Sequence, residues 1–245
     1  MDAAIKVTEI PARRGAAWLG QAFTLFRAKP MAWIGLTAGW LVITFGLILV
    51  PLIGGVIANF LQPVFFASFA ITVVRQLAGE PVVMGDLFRG FRKNLRALVN
   101  LGALLLIAEI AIFALMALLG LPMAGAADKP FTVSEYVEAL KGKEWILALG
   151  FLMTVTVKGA LWFAPPLVAL HGMTTTHAIR WSVYAALANL GAMLVYGLVL
   201  LVIFFAALIP WALGLIVVIP MMAISTYVGY REVFEAGGKP PRAPD

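Results

Sequence analysis

The chain has 245 residues, 62% of them hydrophobic and 12% charged, with a net charge of +6 and no cysteine. Soluble domains hold about half apolar and a quarter charged residues, so this composition points away from that class and toward a membrane protein. It also excludes disulfides, thiolate metal sites and thiol nucleophiles, and membrane topology explains the positive charge better than nucleic-acid binding, which is not expected.

The first thirty residues carry Asp2, Glu9, Arg13, Arg14, Arg27 and Lys29. No apolar core of a signal peptide lies among them, so no cleavage is expected. Residues 14–28 then place Trp18, Ala22, Leu25 and Phe26 on one helical face, bracketed by Arg14 and Arg27. A span needs about 20 apolar residues to cross the hydrocarbon core, and the first two are expected at 30–50 and 51–74. They meet at Pro51, which cannot continue a helix without losing a backbone bond, so they read as a hairpin. Asn59 and Gln62 flank a kink at Pro63 in the second.

A second amphipathic stretch, 82–96, alternates Leu87, Phe88, Phe91 and Leu95 with Arg89, Arg92, Lys93 and Arg96. Helices of this kind lie in the headgroup plane with Arg on anionic phosphates, or form the wet starts of the spans that follow. The third span, 97–121, contains "LLLIAEIAIFALM", with the carboxylate Glu109 among apolar residues. A polar loop, 122–144, holds "FTVSEY" at 131–136. This is a capping box, Thr132 with Glu135, and a staple, Phe131 on Tyr136, opening a short helix over 133–141. The fourth span, 145–170, carries Lys158 after Thr154 and Thr156. His171 and His177 follow in "HGMTTTH", a weak metal pair because no carboxylate or cysteine lies near. Spans five and six, 185–209 and 210–229, meet at Pro210.

The charges give an orientation. Lys6, Arg13, Arg14, Arg27 and Lys29, then Arg75, Arg89, Arg92, Lys93 and Arg96, then Arg180, Arg231, Lys239 and Arg242 fall on one side. Only Lys129, Lys141 and Lys143 fall on the other. The positive-inside rule predicts cytoplasmic N- and C-termini in an inner (plasma) membrane.

"ALVNLGA" at 97–103 returns as "ALANLGA" at 186–192, and "LFR" at 25–27 as "LFR" at 87–89. Pro51, Pro63 and Arg75 resemble Pro210, Pro220 and Arg231 in spacing. The expected architecture is therefore all-α, one integral membrane domain over 1–245. It has six transmembrane helices in three parallel hairpin units, about 14–78, 82–172 and 175–236, each led in by an amphipathic interfacial helix. Asn100 and Asn189 are equivalent positions in that scheme.

Only Glu109 and Lys158 are ionisable and deep in the spans. Counted from the outer ends of their antiparallel helices, both fall at about the same depth. An isolated charge at mid-bilayer costs ~2.5 kcal/mol or more, so the two have reason to meet. The pair either sets the register of one hairpin or serves as a relay or part of a substrate site. Asn59, Gln62, Thr154 and Thr156 either glue helices together or line a polar path. No phosphate-binding loop, metalloprotease or nucleophile-elbow motif is present, and no cofactor is expected.

"LFRAKPMAWIGL", "LFRGFRKNLRALVNLG" and the proline-broken hairpins resemble uncharacterised bacterial inner-membrane families of six-helix proteins. They are also similar to the membrane domain attached to some glycerophosphodiester phosphodiesterases. The catalytic carboxylates and histidines of those enzymes are missing here, so the resemblance implies fold and location rather than activity. Three readings follow. One is a non-catalytic membrane protein organising lipid or an envelope partner, as a homo-oligomer or with another chain, with Arg27, Arg89, Arg92, Lys93 and Arg96 on anionic headgroups. The alternatives are a small-solute or ion transporter using the Glu109–Lys158 pair, and a lipid-acting enzyme.

Overall fold

The apolar runs become helices because lipid offers no hydrogen bonds, leaving each backbone group to be satisfied within its own segment. The computed structural model describes residues 6–122 and 132–235. Its helices are α1 (Arg14–Ala28), α2 (Pro30–Ile48), α3 (Gly54–Leu77), a 3₁₀ helix (Met84–Arg92), α4 (Leu95–Leu118), α5 (Val133–Leu140) and α6 (Glu144–Ala160). They continue with α7 (Ala164–His171), α8 (Thr175–Ala188), α9 (Leu190–Leu208) and α10 (Leu215–Phe234). Among the described residues, six segments are long and apolar enough to cross a membrane: α2, α3, α4, α6 with α7, α9 and α10. The protein is an all-α polytopic membrane protein.

Two elements depart from the expected runs. The fourth span breaks between Ala160 and Ala164, where Pro165 and Pro166 open α7. Proline lacks an N–H and clashes with the carbonyl four residues back, so the helix stops and restarts with the prolines in its first turn. Ser182 of α8 bridges the gap: its hydroxyl donates to Ala160 O at 2.7 Å and accepts from Phe163 N–H at 3.1 Å. The fifth span begins at Leu190 because Asn189 ends α8 and starts α9. Asn189 is buried and accepts from Ile10 N–H (2.9 Å) while donating to Thr8 O (3.1 Å) and Ala185 O (3.1 Å). Asn100, its expected equivalent, is exposed within α4. The junction before α4 falls instead at Asn94, which has φ +30°. The matching heptapeptides thus sit at different structural positions.

Helices α3 and α10 pack on each other at the centre, where 56% and 67% of their spans are buried against 17–22% in the other four. The densest packing lies at the end bearing most of the arginines, here the basic end. Trp18, Trp33, Phe65, Phe69, Tyr227 and Tyr230 are all fully buried there. Toward the opposite, distal end, Phe45, Ile48, Leu52 and Leu118 are exposed.

The amphipathic lead-ins pack on the helix bundle. The apolar face of α1, with Trp18, Leu19, Ala22 and Phe26, is buried, and α1 packs on α9 and α10. The 3₁₀ helix packs on α3 and α2, and α8 on α6 and α7. A Cβ at Gly15 would lie 2.0 Å from Ala192 O, and one at Gly90 2.1 Å from Val64 O, so backbones approach directly. Each lead-in therefore lies on the hairpin that precedes it, and the first lies on the last. In α5, Thr132 N–H donates to Glu135 (2.8 Å) and Glu135 N–H to the Thr132 hydroxyl (3.3 Å), giving the capping box. Phe131 and the Tyr136 side chain, the expected staple, lie outside the described residues.

Candidate functional site

The deepest ionisable residues are brought together by one hairpin. On α4, Glu109 shares a helical face with Leu105 and Ile112, which are buried. On α6, Gly150 lets the Met116 side chain of α4 close in, since a Cβ there would meet its sulfur at 2.2 Å. That contact fixes the register of the two helices. Lys158 Nζ then stands 2.7 Å from Glu109 Oε1, with the side chains 41% and 31% exposed. Opposite charges in contact at mid-membrane lower the cost that either would carry alone.

The amides of α3 occupy a separate place. Asn59 and Gln62 line a groove of about 170 Å³ between α2 and α3, with Trp40, Thr44, Ile48 and Ala58. Asn59 donates to Gly55 O at 3.1 Å, a bond within its own helix. Gln62 has no hydrogen bond among the described residues. On α6, Thr154 is half-buried, while Thr156 is exposed and donates to Leu152 O at 2.8 Å. Neither threonine lines the groove, and neither do Glu109 and Lys158. The four expected path residues are therefore split between two hairpins.

At the basic end the arginines divide into two kinds. Arg75 and Arg89 both pair with Asp86, which is fully buried, Arg89 at 2.5 Å. Asp86 also accepts from Val83 N–H at 3.0 Å, and Arg75 reaches Glu80 at 2.7 Å. Arg89, expected on headgroups, here pairs with Asp86 and holds the 3₁₀ helix on α3. Lys93 is half-buried, and Arg92, Arg96 and Arg27 are exposed, with the Arg27 guanidinium 6.0 Å above the Phe23 ring.

Several joints were not evident from sequence. Glu232 accepts from Arg14 Nε (2.5 Å) and Trp18 Nε1 (2.9 Å), tying α1 to α10. The carboxylate beside it holds the Arg14 guanidinium above its ordinary pKa, through the hydrogen bond first and its charge second. Gln76 accepts from Trp33 Nε1 at 2.7 Å and donates to Leu25 O at 2.8 Å. The four-residue spacing of Arg14 and Trp18, one stripe of α1, was the available signal for the first. His171 Nε2 meets Tyr230 Oη at 2.5 Å, while His177 is exposed, and no group of three metal-ligating side chains occurs among the described residues. Just beyond α10, burial pushes the Glu235 carboxyl up to about 7, against the lowering pull of the Tyr230 hydroxyl and the Arg231 charge.

A probable inner membrane protein of Burkholderia thailandensis is 30% identical to this chain over 235 residues, covering 91% of the chain and 84% of the relative. No family model matches the sequence. No solved structure matches it. The expected similarity to the membrane domain of glycerophosphodiester phosphodiesterases finds no support in these comparisons.

Proposed function

The chain belongs to the family of this probable inner membrane protein and is itself a multi-pass inner-membrane protein; from that premise we propose that it acts without catalysis, organising anionic lipid or an envelope protein partner. The observation that carries this reading is how the interior polar groups are used. Ser68 accepts from Gly90 N–H (2.8 Å), Ser182 spans the α6–α7 break, Tyr196 bonds Ser225 (2.8 Å), and Asn189 joins three backbone groups. Buried polar groups satisfied in this way fix helices against one another, and the arginines open to an outside molecule lie on the periphery. At the basic end that periphery presents Arg27, Arg92 and Arg96 to the cytoplasmic headgroups, where each positive charge contributes about 1 kcal/mol of attraction. Transport fits less well, because the Glu109–Lys158 pair and the Asn59–Gln62 groove belong to different hairpins.

The test is lipid retention. Arg92→Gln with Arg96→Gln is expected to lower anionic lipid co-purified in native nanodiscs several-fold, with zwitterionic lipid and folding unchanged. Equal anionic lipid in both proteins would remove headgroup binding from the function. Arg89→Gln is the contrast: it strips a partner from buried Asp86, so it is expected to lower stability rather than lipid selectivity.

A further inference from the structure

The Glu109–Lys158 contact uses little of what two ions can bond. An ammonium carries three donors and a carboxylate about four acceptor sites, more than the two groups can satisfy on each other in their 2.7 Å contact. Neither group has another partner among the described residues. With the side chains 41% and 31% exposed, the unused valences open sideways from the α4–α6 hairpin. Hydrocarbon at this depth offers nothing to them, and headgroups lie too far out. The surrounding surface is apolar and uncovered, including Phe113 one turn from Glu109 and Phe151 two turns from Lys158, at 55% and 62% exposure.

A cover for the pair must be polar and must lie at the same depth. Copies of one membrane protein share a topology, so a two-fold axis relating them runs along the membrane normal and leaves depth unchanged. Such an axis reverses the lateral order of a neighbouring Glu and Lys. Each carboxylate then faces the other copy's ammonium, and the pair is its own complement. We propose that the α4–α6 hairpin is a dimerisation face on which a second copy of this chain joins its Glu109 and Lys158 to the first, closing a ring of four charges. The inference rests on the reading above and names the protein partner.

The chain has no cysteine, so a single introduced one forms disulfides only between molecules. Phe113→Cys and Phe151→Cys, oxidised in native membranes, are expected to give a species of twice the monomer mass. The yield should be at least tenfold above that of Val202→Cys, which is 62% exposed on α9. In these backgrounds Glu109→Lys alone and Lys158→Glu alone should lose self-cross-linking, and the two co-expressed with different tags should regain it with each other. Absence of the dimer, equal yield from Val202→Cys, or cross-linking only to a chain of other mass would overturn the proposal. Unchanged anionic lipid retention in that event would leave the lipid-organising reading standing.

Discussion

At the scale of single residues, the pair in the third and fourth spans is held by register rather than by depth of burial. Removing one partner leaves a lone charge facing hydrocarbon, which costs about 2–3 kcal/mol at the centre of a span. Glu109→Gln or Lys158→Met alone is expected to lose about that much in reversible unfolding in bicelles. The double replacement should recover most of it, giving a coupling on the order of 2 kcal/mol. Additive losses would show that the contact contributes nothing. The meeting of these residues was legible because a helix rises evenly, so counting from the ends of two antiparallel spans sets their levels. The Glu232 joint was legible only on its α1 side, where Arg14 and Trp18 share one stripe. Glu232 lies on the last helix, more than 200 residues away, and nothing in local spacing links it to them.

At the scale of elements, hydropathy located six spans because length and apolarity are what a bilayer selects. It did not show the interruption at Pro165 and Pro166, since a proline-opened break leaves the run as apolar as before. Nor did amphipathicity tell what the lead-ins touch. Trp18 and Phe26 would suit lipid as well as the α9 and α10 surfaces they occupy, because lipid tails and packed helices are equally apolar. The heptapeptide match misled for a related reason: Leu, Ala and Gly recur wherever helices meet, so identity of letters at Asn100 and Asn189 did not mean identity of place. The break that the prolines make in the fourth span is bridged by one hydroxyl. Ser182→Ala would leave the Phe163 N–H and one acceptor of Ala160 unpaired in a dry interior, at a cost of about 1–3 kcal/mol. A matching fall in unfolding midpoint is expected, with Ser182→Thr less affected. A silent Ser182→Ala would mean that the break is held by packing alone.

At the scale of the whole molecule, the chain closes on itself at the basic end. Thr8 N–H donates to Val233 O at 2.8 Å, so the N-terminal segment is strapped to the end of α10. With α1 on α9 and α10, the 3₁₀ helix on α3 and α8 on α6 and α7, each lead-in clamps a neighbouring hairpin. The arginines of this end are also expected to set the topology. Arg14, Arg75 and Arg89 are engaged in ion pairs and Arg27, Arg92, Arg96 and Arg180 are exposed, but before folding all of them resist translocation alike. Both termini are therefore expected in the cytoplasm. Reporter fusions should be placed where the fold tolerates a chain end. Gly79, with φ +83° in an exposed turn, suits the basic side, and Gly142, with φ +74°, the distal side. Gly90 does not, because its backbone lies against Val64. Fusions after Gly79 and at the C-terminus should score as cytoplasmic, and one after Gly142 as periplasmic. A periplasmic C-terminus would reverse the orientation and move Arg92 and Arg96 away from the anionic leaflet. Mixed signals at Gly79 and Gly142 would show instead that the basic residues do not set the insertion at all.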